Sequence, residues 1–138
     1  MSSNLKTLNV RSKIWIEDED GNIVFGAGRL RILKAVAEHG SILAAAKELH
    51  MSYRAVWGKI KTTEERLGQP LLKKRTGGSR GGGSELTALG KALVDQYEYF
   101  QSLTQTTANT FFQGLFGERS GVLSAPQPKS GHSPVEDP

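Results

Sequence analysis

No stretch of this chain limits its fold as tightly as Gly40 to Gly90, which reads GSILAAAKELHMSYRAVWGKIKTTEERLGQPLLKKRTGGSRGGGSELTALG. Ser41 is a helix-capping residue, and behind it Ile42, Ala45, Ala46 and Leu49 recur at the i, i+3, i+4, i+7 spacing of one helical face. The two alanines leave room for a neighbouring helix to approach closely. His50-Met51 is the turn, Ser52 caps again, and Val56, Ile60, Thr63 and Leu67 give a second helix its inner face. Gly68 stops this helix and Pro70 forbids its continuation. A short strand follows at Leu71 to Arg75, then a glycine-rich stretch from Thr76 to Ser84, then a return at Glu85-Leu86. Thr87 caps a long final helix. There Leu89, Leu93, Tyr97, Phe100, Leu103, Thr107 and Phe111 step by three or four residues, the spacing of a helix-packing seam.

Upstream, Val10 to Ile16 alternates apolar and polar side chains, an acidic turn containing Asp-Gly spans Glu17 to Asn22, and Ile23-Val24-Phe25 returns. This pattern predicts a β-hairpin. Its acidic tip reads as a solvated turn, because consecutive acids lack the spaced ligands of a calcium loop. Gly28 leads into a helix over about Arg29 to His39, with Leu30, Leu33 and Ala37 on one face and Ile32 and Val36 on a second. Both sides therefore call for cover, and Gly40 closes the helix as a left-handed cap. Together these elements predict a mainly α chain with a small β component: a winged helix-turn-helix with an N-terminal β-hairpin and a long C-terminal helix. A length of 138 residues suits one domain plus a tail. The expected divisions are a loose N-terminus at 1–9, the winged domain at 10–86, the long helix at 87–115 and a disordered tail at 116–138. In that tail Gly, Ser and Pro leave too little apolar surface to offset the entropy of ordering.

A formal net charge of +4 is a mild excess, and its distribution carries more information than its size. Arg54, Lys59, Lys61, Arg66, Lys73, Lys74, Arg75 and Arg80 fall between Ser52 and Arg80, against only Glu64 and Glu65. Such a run on a foldable unit is a footprint for phosphate, although a charge run by itself is more often a solvated face. What favours phosphate is that these residues fall on the second helix of the helix-turn-helix and on the hairpin, the parts this fold presents to a duplex. The major groove admits one α-helix. The outward residues Tyr53, Arg54, Trp57, Gly58 and Lys61 are the candidates to enter it, with Arg54 near the helix start placed to reach a base edge. Ser41 and Ser52, with the amides at their helix starts, are candidate phosphate anchors. Lys74, Arg75, Thr76 and Arg80 supply the wing. Gly58 costs its helix roughly 1 kcal/mol against alanine, which close approach to DNA or to the wing would explain. Tyr53 and Trp57 have a plainer alternative, packing on the wing strands.

Other chemistries find little footing. The absence of cysteine removes disulfides and thiolate zinc sites. No apolar run reaches a membrane span, and the N-terminus lacks a signal-peptide core, so a cytoplasmic location is the default. His39, His50 and His132 have no plausible catalytic nucleophile or carboxylate partner in sequence, and no Lys-Ser/Thr follows the glycine run as a P-loop requires. The reading is therefore a non-enzymatic DNA-binding chain without cofactor or metal. The alternative is a protein-interaction module on the same scaffold.

The opening AVAEHGSILAAAKELHMS resembles the winged-helix domain of LysR-type regulators. The run Ser52-Tyr53-Arg54-Ala55-Val56-Trp57, the glycine wing Thr76 to Gly83, and Leu86-Thr87 with Gly90-Lys91-Ala92-Leu93 resemble the ModE family of molybdate-responsive regulators more closely. The resemblance covers about residues 10 to 112, the N-terminal hairpin included. It implies a homodimeric transcriptional regulator on an inverted-repeat operator of double-stranded DNA. The dimer it implies joins the first and last helices, which here means Ile32, Val36, Leu93, Tyr97, Phe100 and Leu103. Full-length relatives carry C-terminal molybdate-binding modules. This chain stops where they would begin, so molybdate binding is not carried to any residue, and a short, sensorless member or a truncated one is expected.

Overall fold

The computed structural model describes residues 7–76 and 82–117. Its elements are β1 (Ile16–Glu17), β2 (Ile23–Phe25), α1 (Ala27–His39), α2 (Ile42–Glu48), α3 (Tyr53–Leu67), β3 (Leu72–Arg75), β4 (Gly83–Leu86) and α4 (Ala88–Phe116). The strands form two antiparallel pairs, β1 with β2 and β3 with β4. The fold is the winged helix-turn-helix that the sequence predicts, with β3 and β4 as the wing. The described residues form two compact units, one within Ile14–Glu98 and the other combining those before Ile14 with those from Tyr99 to Gly117.

Within the first unit, the helix boundaries follow local chemistry. The hydroxyl of Ser41 accepts from the Ala44 N–H at 3.0 Å, that of Ser52 from the Ala55 N–H at 3.0 Å, and that of Thr87 from the Gly90 N–H at 3.1 Å. Each such cap is worth about 1 kcal/mol against alanine. Gly40 and Gly68 end α1 and α3 in the left-handed conformation. The corner between α2 and α3 turns at His50, whose φ of 55° is left-handed. Met51 then donates its N–H back to the Ala46 carbonyl at 2.9 Å, so the corner stays tight.

The core of this unit gathers Phe25, Leu33, Val36, Val56 and Leu71, all fully buried. Ala45 and Ala46 are buried as well, consistent with close crossing of α2 by its neighbours. Thr63 is a buried polar residue whose hydroxyl donates to the Val24 carbonyl at 2.7 Å, so its burial carries no unsatisfied group. Tyr97 sets its ring edge-on to Phe25 at 5.2 Å and donates its hydroxyl to the Ile14 carbonyl at 2.7 Å. Both sides of α1 are covered as expected, but within the unit: Leu30, Ile32, Leu33, Ala35 and Val36 are all buried, whereas Ala37 is exposed. Leu67, expected on the inner face of α3, is its last residue and is exposed.

The N-terminal stretch departs from the sequence expectation. Val10 to Ile16 does not form a strand; only Ile16–Glu17 pairs with β2, through an irregular register. The preceding backbone is held by side chains of α4 instead. Gln105 donates its amide N–H to the Val10 carbonyl at 2.6 Å and accepts from the Ser12 N–H at 2.8 Å. Asn109 accepts from the Val10 N–H at 3.3 Å, and Gln113 donates to the Leu8 carbonyl at 2.7 Å. A carboxamide carries both a donor and an acceptor, so a row of them satisfies an extended backbone as a partner strand would. The tail expected to be disordered lies, from residue 118 on, outside the described residues.

Candidate nucleic-acid interface

The site is built on α3, because this helix buries only one stripe. Val56, Ile60 and Thr63 face the core, which turns Arg54, Trp57, Gly58 and Lys61 away from it. Tyr53 and Trp57 keep 48% and 45% of their surface exposed, so neither is absorbed by the wing strands. Trp57 is instead topped by Lys61, whose ammonium lies 5.8 Å from the ring centroid and 3.8 Å from the Glu64 carboxylate. Glu64 also accepts from the Leu71 N–H at 2.7 Å, which fixes the chain where it enters the wing. Arg54 is exposed and has no hydrogen-bond or ion-pair partner among the described residues. A side chain built on Gly58 would meet no atom within 4 Å. The wing is therefore not what keeps Gly58 a glycine.

Beside α3, an open recess of about 620 Å³ is lined by Ser41, Ile42, Leu43, Tyr53, Lys74, Arg75, Thr76 and Gly82 to Ser84. It brings together five residues that the sequence nominates from three separate segments: Ser41, Tyr53, Lys74, Arg75 and Thr76. Ser52, Arg54, Trp57, Gly58 and Lys61 do not line it; they extend along α3. Arg80 lies outside the described residues. Leu43 and Ile42 are recess residues that sequence reasoning passed over. Leu43 is exposed despite its apolar side chain, and no charge or motif marks it. The wing strands are in register as Lys73↔Glu85, Lys74↔Ser84 and Arg75↔Gly83, and Lys73 is paired with Glu85 at 3.5 Å. Lys74 has no such carboxylate among the described residues. Lys74, Arg75, the serines and the Tyr53 phenol, set among apolar Ile42 and Leu43, give this recess groups that suit a polyanion. Among the described residues no group of three His, Asp or Glu is arranged to hold a metal ion.

Two further cations lie elsewhere. Arg66 donates to the Ile23 carbonyl. Arg29 has its pKa lowered, first by burial and then by the charge of Arg66, and its Nε is buried without a partner. The expected dimer seam needs correction. Ile32, Val36 and Tyr97 are buried inside their own unit, because α2, α3 and the hairpin already cover α1 and Phe25 covers Tyr97. They offer no surface to a second copy. Leu93 is half-buried against the same core, while Phe100 and Leu103 are 60% and 54% exposed.

Residues 28–91 match the family described as bacterial regulatory helix-turn-helix protein, lysR family. The molybdenum-pterin-binding protein MopA of Rhodobacter capsulatus is 39% identical over 74% of this chain and 36% of its own length. The molybdenum transport protein ModE of Azotobacter vinelandii is 32% identical over 78% of this chain and 40% of its own. The chain is similar to the N-terminal helix-turn-helix part of ModE-family regulators. Every recess residue falls inside the helix-turn-helix match. Among solved structures, CbnR_DBD in its DNA complex is 32% identical over 71% of this chain and 97% of its own, with a TM-score of 0.45. The chain spans two fifths or less of the two curated relatives named here.

Proposed function

We propose that the chain binds double-stranded DNA as a homodimeric transcriptional regulator, with α3 in the major groove and the wing along the sugar–phosphate backbone. The observation that carries this reading is the exposed outward face of α3, where Arg54 has no side-chain partner among the described residues, beside the recess that holds Lys74. Arg54 is placed to fork onto the two acceptors of a guanine, which a lysine could not match. Ser41, Tyr53 and Lys74 act on phosphates and fix register, with no sequence information of their own. Ser41 spends its acceptor on its own helix but keeps its hydroxyl proton free to donate. Gly58 lets the helix backbone come close to the duplex. The likeness to a DNA-binding transcriptional dual regulator ModE, 30% identical over 73% of this chain, supports DNA as the partner.

The dimer reading rests on Phe100 and Leu103, with Tyr99, Phe111 and Leu115 beside them on the exposed part of α4. A two-fold dimer would set two copies of α3 about one helical turn apart and so favour an inverted repeat. Molybdenum stays with the names of the longer relatives, and no residue here is assigned to it. The test is selection from a random duplex library followed by gel-shift titration at several salt concentrations. A recurrent inverted repeat, with log K falling linearly in log salt, is the expected result. No enriched sequence and a flat salt response would refute the proposal.

A further inference from the structure

The recess contains one cation whose surroundings differ from the rest. Arg75 sits opposite Gly83 in the wing ladder, and its guanidinium reaches across that glycine to Gly40. A Cβ on Gly40 would come within 3.1 Å of both terminal nitrogens of Arg75. A Cβ on Gly83 would come within 3.0 Å of one of them and would overlap the Gly40 carbonyl oxygen. That carbonyl accepts from the Ser84 N–H at 2.8 Å, a hydrogen bond that ties the start of β4 to the corner between α1 and α2. Gly40 is also the left-handed cap of α1, and the carbonyl end of a helix favours a nearby cation.

We propose that Arg75 is a positioning residue for the wing and not a phosphate ligand: its guanidinium, laid over Gly40 and Gly83, holds the tip-side end of the wing strands against the helix corner. The proposal deepens the DNA-binding reading by reassigning one of its residues, leaving the recess phosphates to Ser41, Tyr53 and Lys74. The geometry supplies the reason for each part. Two residues without side chains face each other across the joint, a planar cation fills the space they leave, and a single backbone hydrogen bond closes it. Lysine carries the charge but not the plane, so it cannot replace arginine here.

The test compares Arg75→Lys and Arg75→Met with the wild-type chain in two ways. The first needs no DNA: amide hydrogen exchange at Ser84. Both variants should speed that exchange about tenfold or more while the amides of α3 keep their protection; unchanged Ser84 exchange would overturn the proposal. The second is duplex binding against salt. Both variants should bind several-fold more weakly with the wild-type salt slope. A phosphate ligand would behave differently, with Arg75→Met losing about one unit of slope and Arg75→Lys keeping it, and that result would also overturn the proposal. Gly83→Ala should reproduce the Arg75→Met loss, and the double variant should be no weaker than either single; additive losses would count against a shared joint. If Gly83→Ala fails to fold, the two Arg75 variants still decide. Absence of any salt-dependent duplex binding by the wild-type chain would sink the functional reading, while the exchange experiment would still judge the joint.

Discussion

The outward faces of α3 and of the later part of α4 are both exposed, and they differ in chemistry. On α3 the exposed residues include Tyr53, Arg54, Trp57 and Lys61, cations with flat rings between them. On α4 they are Tyr99, Phe100, Leu103, Phe111 and Leu115, with no cation among them. Water tolerates the first face; the second leaves a row of large apolar groups uncovered, a marker of association in a folded chain. The contrast teaches that exposure alone does not name a partner. A half-polar, cationic helix face suits a charged polymer bound reversibly and with salt dependence, whereas an apolar one suits a second protein surface.

The sharpest way to break this contrast lies at the point where α4 changes character. Tyr97 is 3% exposed and Phe100 is 60% exposed. Tyr97→Ala removes the edge-on contact with Phe25 and the hydrogen bond to Ile14, and should cost about 3–5 kcal/mol in urea denaturation, in line with other large-to-small core changes. Phe100→Asp with Leu103→Asp should leave the denaturation midpoint nearly unchanged and convert dimer to monomer in sedimentation. A monomeric wild-type chain, or a dimer that survives both changes, would place the seam elsewhere. Next in size, Arg54→Ala should weaken binding to the selected duplex by about 1–3 kcal/mol and relax preference at one base position. Equal affinity for matched and mismatched duplexes in both forms would remove Arg54 from the groove.

Gly58→Ala separates stability from binding. The helix should gain roughly 1 kcal/mol, because glycine is the poorer helix former and the added methyl meets nothing in the protein. Duplex affinity should fall at the same time. A variant that is stabilised and binds as well as the parent would show that α3 does not approach its partner closely. The smallest effect belongs to the hairpin tip. Asp18 has its pKa lowered, chiefly by the Asn22 backbone N–H, with the Asn22 side chain and the Asp20 N–H helping. A depressed folded-state pKa means the contribution is present above the unfolded value and is lost as pH falls through the folded one. Acid should therefore loosen the tip slightly, and Asp18→Asn should abolish that pH dependence in an amide-exchange or NMR titration.

Much of this was legible in the residues because it is local. Ser41, Ser52 and Thr87 cap the helices they precede, Gly40 and Gly68 end theirs, and the stripe Val56, Ile60, Thr63 marks the buried side of α3. Once that stripe is known, the outward position of Arg54 and Lys61 follows from helical geometry. Three features were not legible, each for the same physical reason: the partner lies far away in sequence. Alternation in Val10 to Ile16 looks like a strand, and only the row Gln105, Asn109, Gln113 on α4 shows why no strand partner is needed. That row has helical spacing, but nothing in it says which backbone it will meet. Ile32, Val36 and Tyr97 have the pattern of a seam between copies, yet folding covers them within the unit. Arg75 reads as one more basic residue of the wing until Gly40 and Gly83 are brought to either side of it.

The amino-acid order by itself determined where each helix starts and stops, which stripe of α3 turns inward and that the wing is cationic, because caps, periodicity and charge act over a few residues. Tertiary structure alone decided which apolar positions remain available to another molecule, what satisfies the extended N-terminal backbone and what Arg75 rests on. Those outcomes depend on contacts between segments separated by tens of residues, and burial is a property of the assembled core rather than of any single stretch.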